Sequence, residues 1–194
     1  WVVGHSYIVY GPLIHGMATV MYEGLPIRPD PAVWWKIVEQ HKVSVMFSSP
    51  TAIRVLKKQD PAYLKKHNVS TLRYLFLAGE PLDEPTARWI SEGLNVPVLD
   101  HYWQTETGWA ITAGFREFGL FPAKPGSGGR ASPGYDVRAL DDEGHVLARG
   151  ADAYRRIIGT AALANQMAEE SAKHRQPAIG TGRSGICMTG GDVG

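Results

Sequence analysis

The chain has 194 residues, 44% apolar and 20% charged, with a formal net charge of +1. These are ordinary values for one globular domain with a real core, and the near-neutral charge gives no reason to expect nucleic acid or an anionic membrane as partner. Cys187 is the single cysteine, which excludes an intramolecular disulfide or a cysteine metal cluster and fits a reducing compartment.

No apolar run approaches the roughly 18–20 residues that cross a bilayer, and no secretory signal opens the chain. A cytoplasmic location is therefore expected. The chain begins at Trp1 inside the apolar segment WVVGHSYIVYGPL and stops at Gly194 after GGDVG, and we read it as an internal piece of a longer protein.

Residues 1–22 are apolar and broken by Gly4, Gly11, Pro12 and Gly16, which predicts short buried segments followed by a strand at ATVMYEG. Asp30 and Pro31 form a helix start, because the missing proline N–H costs nothing in the first turn. The predicted helix runs to about His41 and places Trp34, Ile37 and Val38 on one face. VSVMFSS, residues 43–49, is a buried strand, and TAIRVLKK is a helix. Asp60-Pro61 repeats the cap-plus-proline device and opens a short helix to His67. LRYLFLAG, residues 72–79, is the next strand; Asp83 caps the helix EPTARWISEG; VPVLDHY, residues 96–102, is the strand after it.

Strands alternating with helices imply parallel βαβ units, whose ligands bind at the carboxyl ends of the strands. Two such ends carry unusual sequences, AGEP and DHYWQTETGW. Beyond about residue 122, FPAKPGSGGRASPGY is a Gly/Pro loop and YDVRALDDEGHVLA a β-hairpin about DDEG. Residues 151–176 have a helical composition, and residues 177–194 are glycine-rich and read as loop or disorder.

Each motif has two readings from its residues alone. In Trp103–Gly108, the Thr hydroxyls and loop N–H groups suit phosphate, and Glu106 suits Mg²⁺; a polar turn after a strand fits equally. In Ala78–Pro81, Gly79 allows close approach of backbone to a ligand, but a plain strand-ending turn accounts for it too. Gly4–Tyr7 is either a binding loop or core, with His5 the commoner satisfied histidine. SSPTAIR, residues 48–54, offers a helix N-terminus and Thr51 to an anion, or is simply a capped helix. GSGGR lacks the GK[ST] ending and is not a P-loop.

Taken together, WVVGHSYIVYGPL, WWKIVEQHKV, PTAIRVLKK, LRYLFLAGEPLDEPTARW, VPVLDHYWQTETGW and PGYDV resemble the acetyl-/propionyl-CoA synthetase branch of the adenylate-forming superfamily. The resemblance covers residues 1 to about 150, and AGEPLDEPT with PTAIRVLKK is more similar to propionate–CoA ligases than to acetate–CoA ligases. It implies an α/β fold, a mostly parallel sheet with flanking helices belonging to the larger N-terminal domain of such an enzyme, followed by the β-hairpin. The expected divisions are 1–121 for the α/β core, 122–150 for the loop and hairpin, and 151–194 for a divergent tail.

The resemblance also implies an AMP-forming acid–thiol ligase that uses ATP, Mg²⁺ and coenzyme A with propionate or acetate. Carried over by motif, Gly79, Glu80 and Pro81 lie along adenine and ribose, and Asp100, His101 and Tyr102 form the opposite wall of the adenine slot. Gln104 and Thr105 reach the α-phosphate, Thr105 and Glu106 carry the catalytic role, and Glu106 holds Mg²⁺. Val3, Ala78 and Trp103 line the acyl pocket. Acetate-specific members usually read V-G-E-P where this chain has Ala78, so a longer acyl tail is expected to fit.

The Pro-Lys phosphate loop and the C-terminal lysine domain of that family have no counterpart in these 194 residues, so the piece alone is expected to be inactive. Residues from Ala151 onward do not resemble the family until CMTGGDVG, similar to its Y-x-T-G-D motif, which would make Asp192 a ribose ligand. A reading-frame change near residue 150, reverting near residue 187, or a gene-prediction artefact, accounts for that gap. The rival functions are acetate–CoA ligase and a non-catalytic nucleotide-binding fragment.

Overall fold

A computed structural model describes residues 4–114, 126–138 and 145–147, and the backbone of 186–190. The predicted β-hairpin turn, the 151–176 helix, Val3 and Asp192 lie outside the described residues.

A π-helical segment, Gly4–Tyr10, leads into the short helix α1, Gly11–Ile14. Strand β1 is Thr19–Tyr22 and helix α2 is Val33–His41. The α2 entry is tied down by Asp30, whose Oδ1 accepts the Ala32 N–H at 2.6 Å while Oδ2 meets Lys66 Nζ at 2.6 Å. The helix buries Trp34, Trp35 and Val38, so its apolar face is wider than the predicted one and leaves Ile37 at the margin. Strand β2, Val43–Ser48, runs into α3, Pro50–Lys57, which Ser49 caps through the Ala52 N–H. Asp60 caps a 3₁₀ turn, Pro61–Lys65, in the same way. Strand β3 is Tyr74–Leu77, α4 is Glu84–Leu94 with Asp83 accepting the Thr86 N–H at 3.0 Å, and β4 is Val98–Trp103.

Strand β5, Ala110–Ala113, returns antiparallel to β4, and β6, Arg130–Ala131, pairs antiparallel with β5. Strand β7, Ile186–Gly190, lies between β1 and β2, antiparallel to both. The order across the sheet is β1-β7-β2-β3-β4-β5-β6. The predicted parallel unit is present: β2, β3 and β4 pair in parallel through α3 and α4. The glycine-rich stretch 177–194, read as loop, contributes a strand at Ile186–Gly190. Its backbone groups find partners on both edges, and that outweighs the weak strand preference of its glycine-rich flanks.

The two faces of the sheet carry different cores. On one, Met46, Leu75 and Leu77 pack with Trp34, Trp35 and Val38 of α2, Ile53 and Leu56 of α3, and Ile90 and Leu94 of α4. On the other, Phe47 and Ala78 are buried with Phe76, Trp103 and, from the first segment, Tyr7 and Ile8. Strand alternation accounts for the split, since Met46 pairs with Leu75 and the next residues, Phe47 and Phe76, pair on the opposite face. Among the described residues no helix is long and apolar enough to cross a membrane.

Candidate functional site

The AGEP and WQTETG loops leave the carboxyl ends of β3 and β4, which are adjacent and parallel. This is the edge at which open α/β sheets bind ligands. Ala78 continues β3, its N–H donating to the Ser48 carbonyl at 3.2 Å. Gly79 then turns at φ +102°, a conformation that a side chain would strain, with open space where a Cβ would stand.

The Glu80 carboxylate turns back toward α3. Its Oε1 accepts the Thr51 N–H at 2.7 Å, and its Oε2 pairs with Arg54 Nη1 at 2.9 Å. The anion at the α3 N-terminus, anticipated near Thr51, is thus the chain's own. Burial pushes the Glu80 carboxyl up, but the Thr51 hydrogen bonds and the Arg54 charge outweigh it and hold the group below the usual carboxylate range.

On β4 the side chains alternate. Asp100 shares its register position with Leu77 and lies toward the helices, half-buried near the Leu82 backbone. Burial pushes its carboxyl up to about 6, although the Leu82 and His101 backbones pull it back. His101 lies on the opposite face, 4% exposed. Its ring centroid stands 5.2 Å from Phe47, 5.7 Å from Phe76 and 5.9 Å from Tyr7. Both ring nitrogens lack a partner in hydrogen-bonding geometry, and burial lowers the imidazole to about 4, against the opposing pull of the Leu99 and Leu77 backbones, so it is neutral at pH 7. Asp100 and His101 therefore do not stand on one wall; the histidine belongs to the apolar side with Ala78 and Trp103.

Tyr7 is the centre of that side. It meets Trp103 edge-on at 5.3 Å, stacks on Trp109 at 5.8 Å and lies 4.6 Å from Phe47. Sequence reasoning marked Gly4–Tyr7 only as a loop or core segment; the alternation of large rings on β2, β3 and β4 was the signal that a partner ring was needed above them.

Beyond Trp103 the chain makes a 3₁₀ turn, Thr105–Thr107, closed by Gly108 at φ +62°. Gln104 and Thr107 fix it: the Gln104 N–H donates to Thr107 Oγ1 at 3.2 Å, and Thr107 Oγ1 donates to the Gln104 carbonyl at 2.8 Å. Gln104 Nε2 also donates to the Tyr102 hydroxyl at 3.0 Å. Thr105 and Glu106 stand exposed on this braced turn. Among the described residues no three His, Cys, Asp or Glu side chains cluster as a metal site. One exposed carboxylate flanked by two threonines suits Mg²⁺ arriving with a polyphosphate, where phosphate and water complete the shell, rather than a resident ion.

Asp100 permits a pH test. Its proton is held to about 6 in the folded chain against an ordinary 3.8. Below the lower value both states are protonated and burial costs nothing; as pH rises through the higher value the folded state bears the full cost of the buried charge. Asp100→Asn is expected to stabilise the protein by about 1–2 kcal/mol at about pH 7.5, after discounting for solvent that still reaches the group, and to change almost nothing at about pH 3. Urea melts at both values check this; an equal gain at both would show that charge is not the cause.

The AMP-binding enzyme family model matches residues 1–153. The chain is 59% identical over 142 residues to a propionate–CoA ligase of Salmonella typhimurium, covering 73% of this chain and 23% of that protein. It is 48% identical over 148 residues to the mitochondrial acyl-CoA synthetase short-chain family member 3 of Homo sapiens, covering 73% and 21%. Among solved structures, an acyl-CoA synthetase of Brucella canis superposes with a TM-score of 0.63 at 32% identity, covering 78% of this chain and 27% of that one. The chain spans about a quarter of the length of the curated relatives it matches.

Proposed function

The chain belongs to the AMP-binding enzyme family, and from that premise we propose that it forms part of the adenylation site of a propionate–CoA ligase. The observation that carries the reading is the pairing of β3 with β4, which brings AGEP and WQTETG to one edge with Ala78 and Trp103 in one apolar cluster. The 59% identity to a propionate–CoA ligase supports the substrate class.

In the first half-reaction a carboxylate oxygen attacks the α-phosphorus of ATP, and the bond to pyrophosphate breaks with its electron pair leaving on that group. In the second, the coenzyme A thiolate attacks the acyl carbon and AMP leaves. Gly79–Pro81 and Tyr102 flank the purine, and Asp100 lies beside them. Gln104 and Thr105 donate to the α-phosphate, where charge accumulates. Glu106 would hold Mg²⁺, which would screen the charge of the triphosphate. Trp103 floors the acyl pocket, and the neutral His101 packs among the rings beneath it. Val3, carried over to the same pocket, lies outside the described residues.

Ala78 sets the acyl length. It is buried against Phe47 with Trp103 packed on the pair, so two added methyl groups at this position enter the pocket. Ala78→Val is expected to lower propionate turnover relative to acetate by about 10–100-fold, the value of roughly one methylene. Pyrophosphate exchange with both acids, in the full-length protein carrying this chain, checks it. A parent that turns over acetate faster than propionate before any substitution would replace this reading with acetate–CoA ligase.

A further inference from the structure

Arg54 lies on α3, yet three of its nitrogens serve the loop after β3. Nη1 meets Glu80 Oε2 at 2.9 Å, Nη2 donates to the Pro81 carbonyl at 2.6 Å, and Nε donates to Asp83 Oδ1 at 2.9 Å. The remaining Glu80 oxygen accepts the Thr51 N–H, so both oxygens of that carboxylate face α3. Asp83 is held too: it accepts the Thr86 N–H as the α4 cap, and with the Arg54 bond its carboxyl falls to about 2. One guanidinium thus ties a glutamate, a backbone carbonyl and a helix cap, spanning the loop whose first residue, Gly79, has the freest backbone.

A fork of donors in fixed geometry does what a point charge cannot. Lysine would reach one of the three acceptors at a time. The Arg54 and Glu80 side chains each keep 35% of their surface exposed, so the ion pair adds little to global stability. What it does is select one loop conformation.

We propose that Arg54 is a positioning residue of the nucleotide site, holding Gly79–Pro81 so that the loop backbone, and not the Glu80 carboxylate, meets the purine. This rests on the adenylation reading above. It assigns Glu80 a bracing role in place of direct contact with adenine or ribose.

The test uses the full-length protein and the variants Arg54→Gln, Arg54→Lys, Glu80→Gln and the double variant Arg54→Gln/Glu80→Gln. Arg54→Gln and Arg54→Lys are expected to raise the KM for ATP and to lower the preference for ATP over GTP, each about tenfold, as a displaced contact surface does. The KM for the carboxylate and the melting midpoint should stay unchanged. The double variant should be no worse than Arg54→Gln alone, because both substitutions release the same brace. An unchanged ATP/GTP preference, or additive losses in the double variant, would overturn the proposal, the second by showing that Glu80 touches the nucleotide itself. Amide hydrogen exchange over residues 79–83 gives a readout independent of activity, expected to quicken about tenfold in Arg54→Gln. Unchanged exchange sinks the clamp even in an active enzyme. No pyrophosphate exchange in the unmodified protein sinks the adenylation reading instead.

Discussion

Glu106→Gln is expected to slow adenylation by about 10²–10³-fold, the loss that follows removal of one preorganised group facing developing charge. The substitution keeps the shape of the side chain and removes its charge. Glu106 is exposed on a turn whose fold is secured by Gln104 and Thr107, so the melting midpoint should not move. The affinity for the cation should fall, and part of the lost rate should return at high Mg²⁺. The measurement is pyrophosphate exchange across a Mg²⁺ titration in the full-length protein. A rate within about threefold of the unmodified protein at every Mg²⁺ concentration would take Glu106 out of the metal's reach, since lost ligands cost far more.

The largest effect on stability is expected at Gly129. A Cβ there would stand 2.0 Å from the Ala113 carbonyl oxygen and 2.1 Å from its carbon, both backbone atoms that cannot rotate away. The backbone also sits at φ +83°, where an L side chain is strained. Gly129→Ala must therefore part β6 from β5, breaking the Thr112–Ala131 and Ala113–Arg130 pairing. Overpacking and left-handed strain together amount to about 2–5 kcal/mol, a large share of a typical domain's stability. Gly108 is the control: it has φ +62° and nothing within 4 Å of a Cβ, so Gly108→Ala carries only the strain, about 1–2 kcal/mol. Denaturant melts of the two variants separate the causes. Equal losses would mean that β6 moves aside freely. The close approach also gives Gly129 of GSGGR a packing role, consistent with the segment's lack of a P-loop ending.

The Arg54 brace shows why part of the site was hidden from sequence reasoning. Arg54 and Glu80 are 26 positions apart, and neither residue type announces a partner. The helix start at Ser49-Pro50 was visible, and so was the acidic loop after β3; that one satisfies the other depends on how α3 lies across the sheet. His101 shows the same limit. Its place in DHYWQTE suggested the nucleotide side, but strand alternation on β4 sends it to the apolar face of the sheet, among Tyr7, Phe47 and Phe76.

By itself the sequence determined what local chemistry determines. The caps at Ser49, Asp60 and Asp83, the apolar runs of β2, β3 and β4, and the two glycine-bearing loops at their ends all follow from neighbours in the chain. Those patterns were enough for the parallel βαβ core and the family. Tertiary structure alone decided the insertion of β7 between β1 and β2, the return of β5 and β6, and the direction each β4 side chain faces. Strand order and ion pairs across loops are settled by which distant backbone groups and charges find partners on closure, and a local pattern carries no record of that choice.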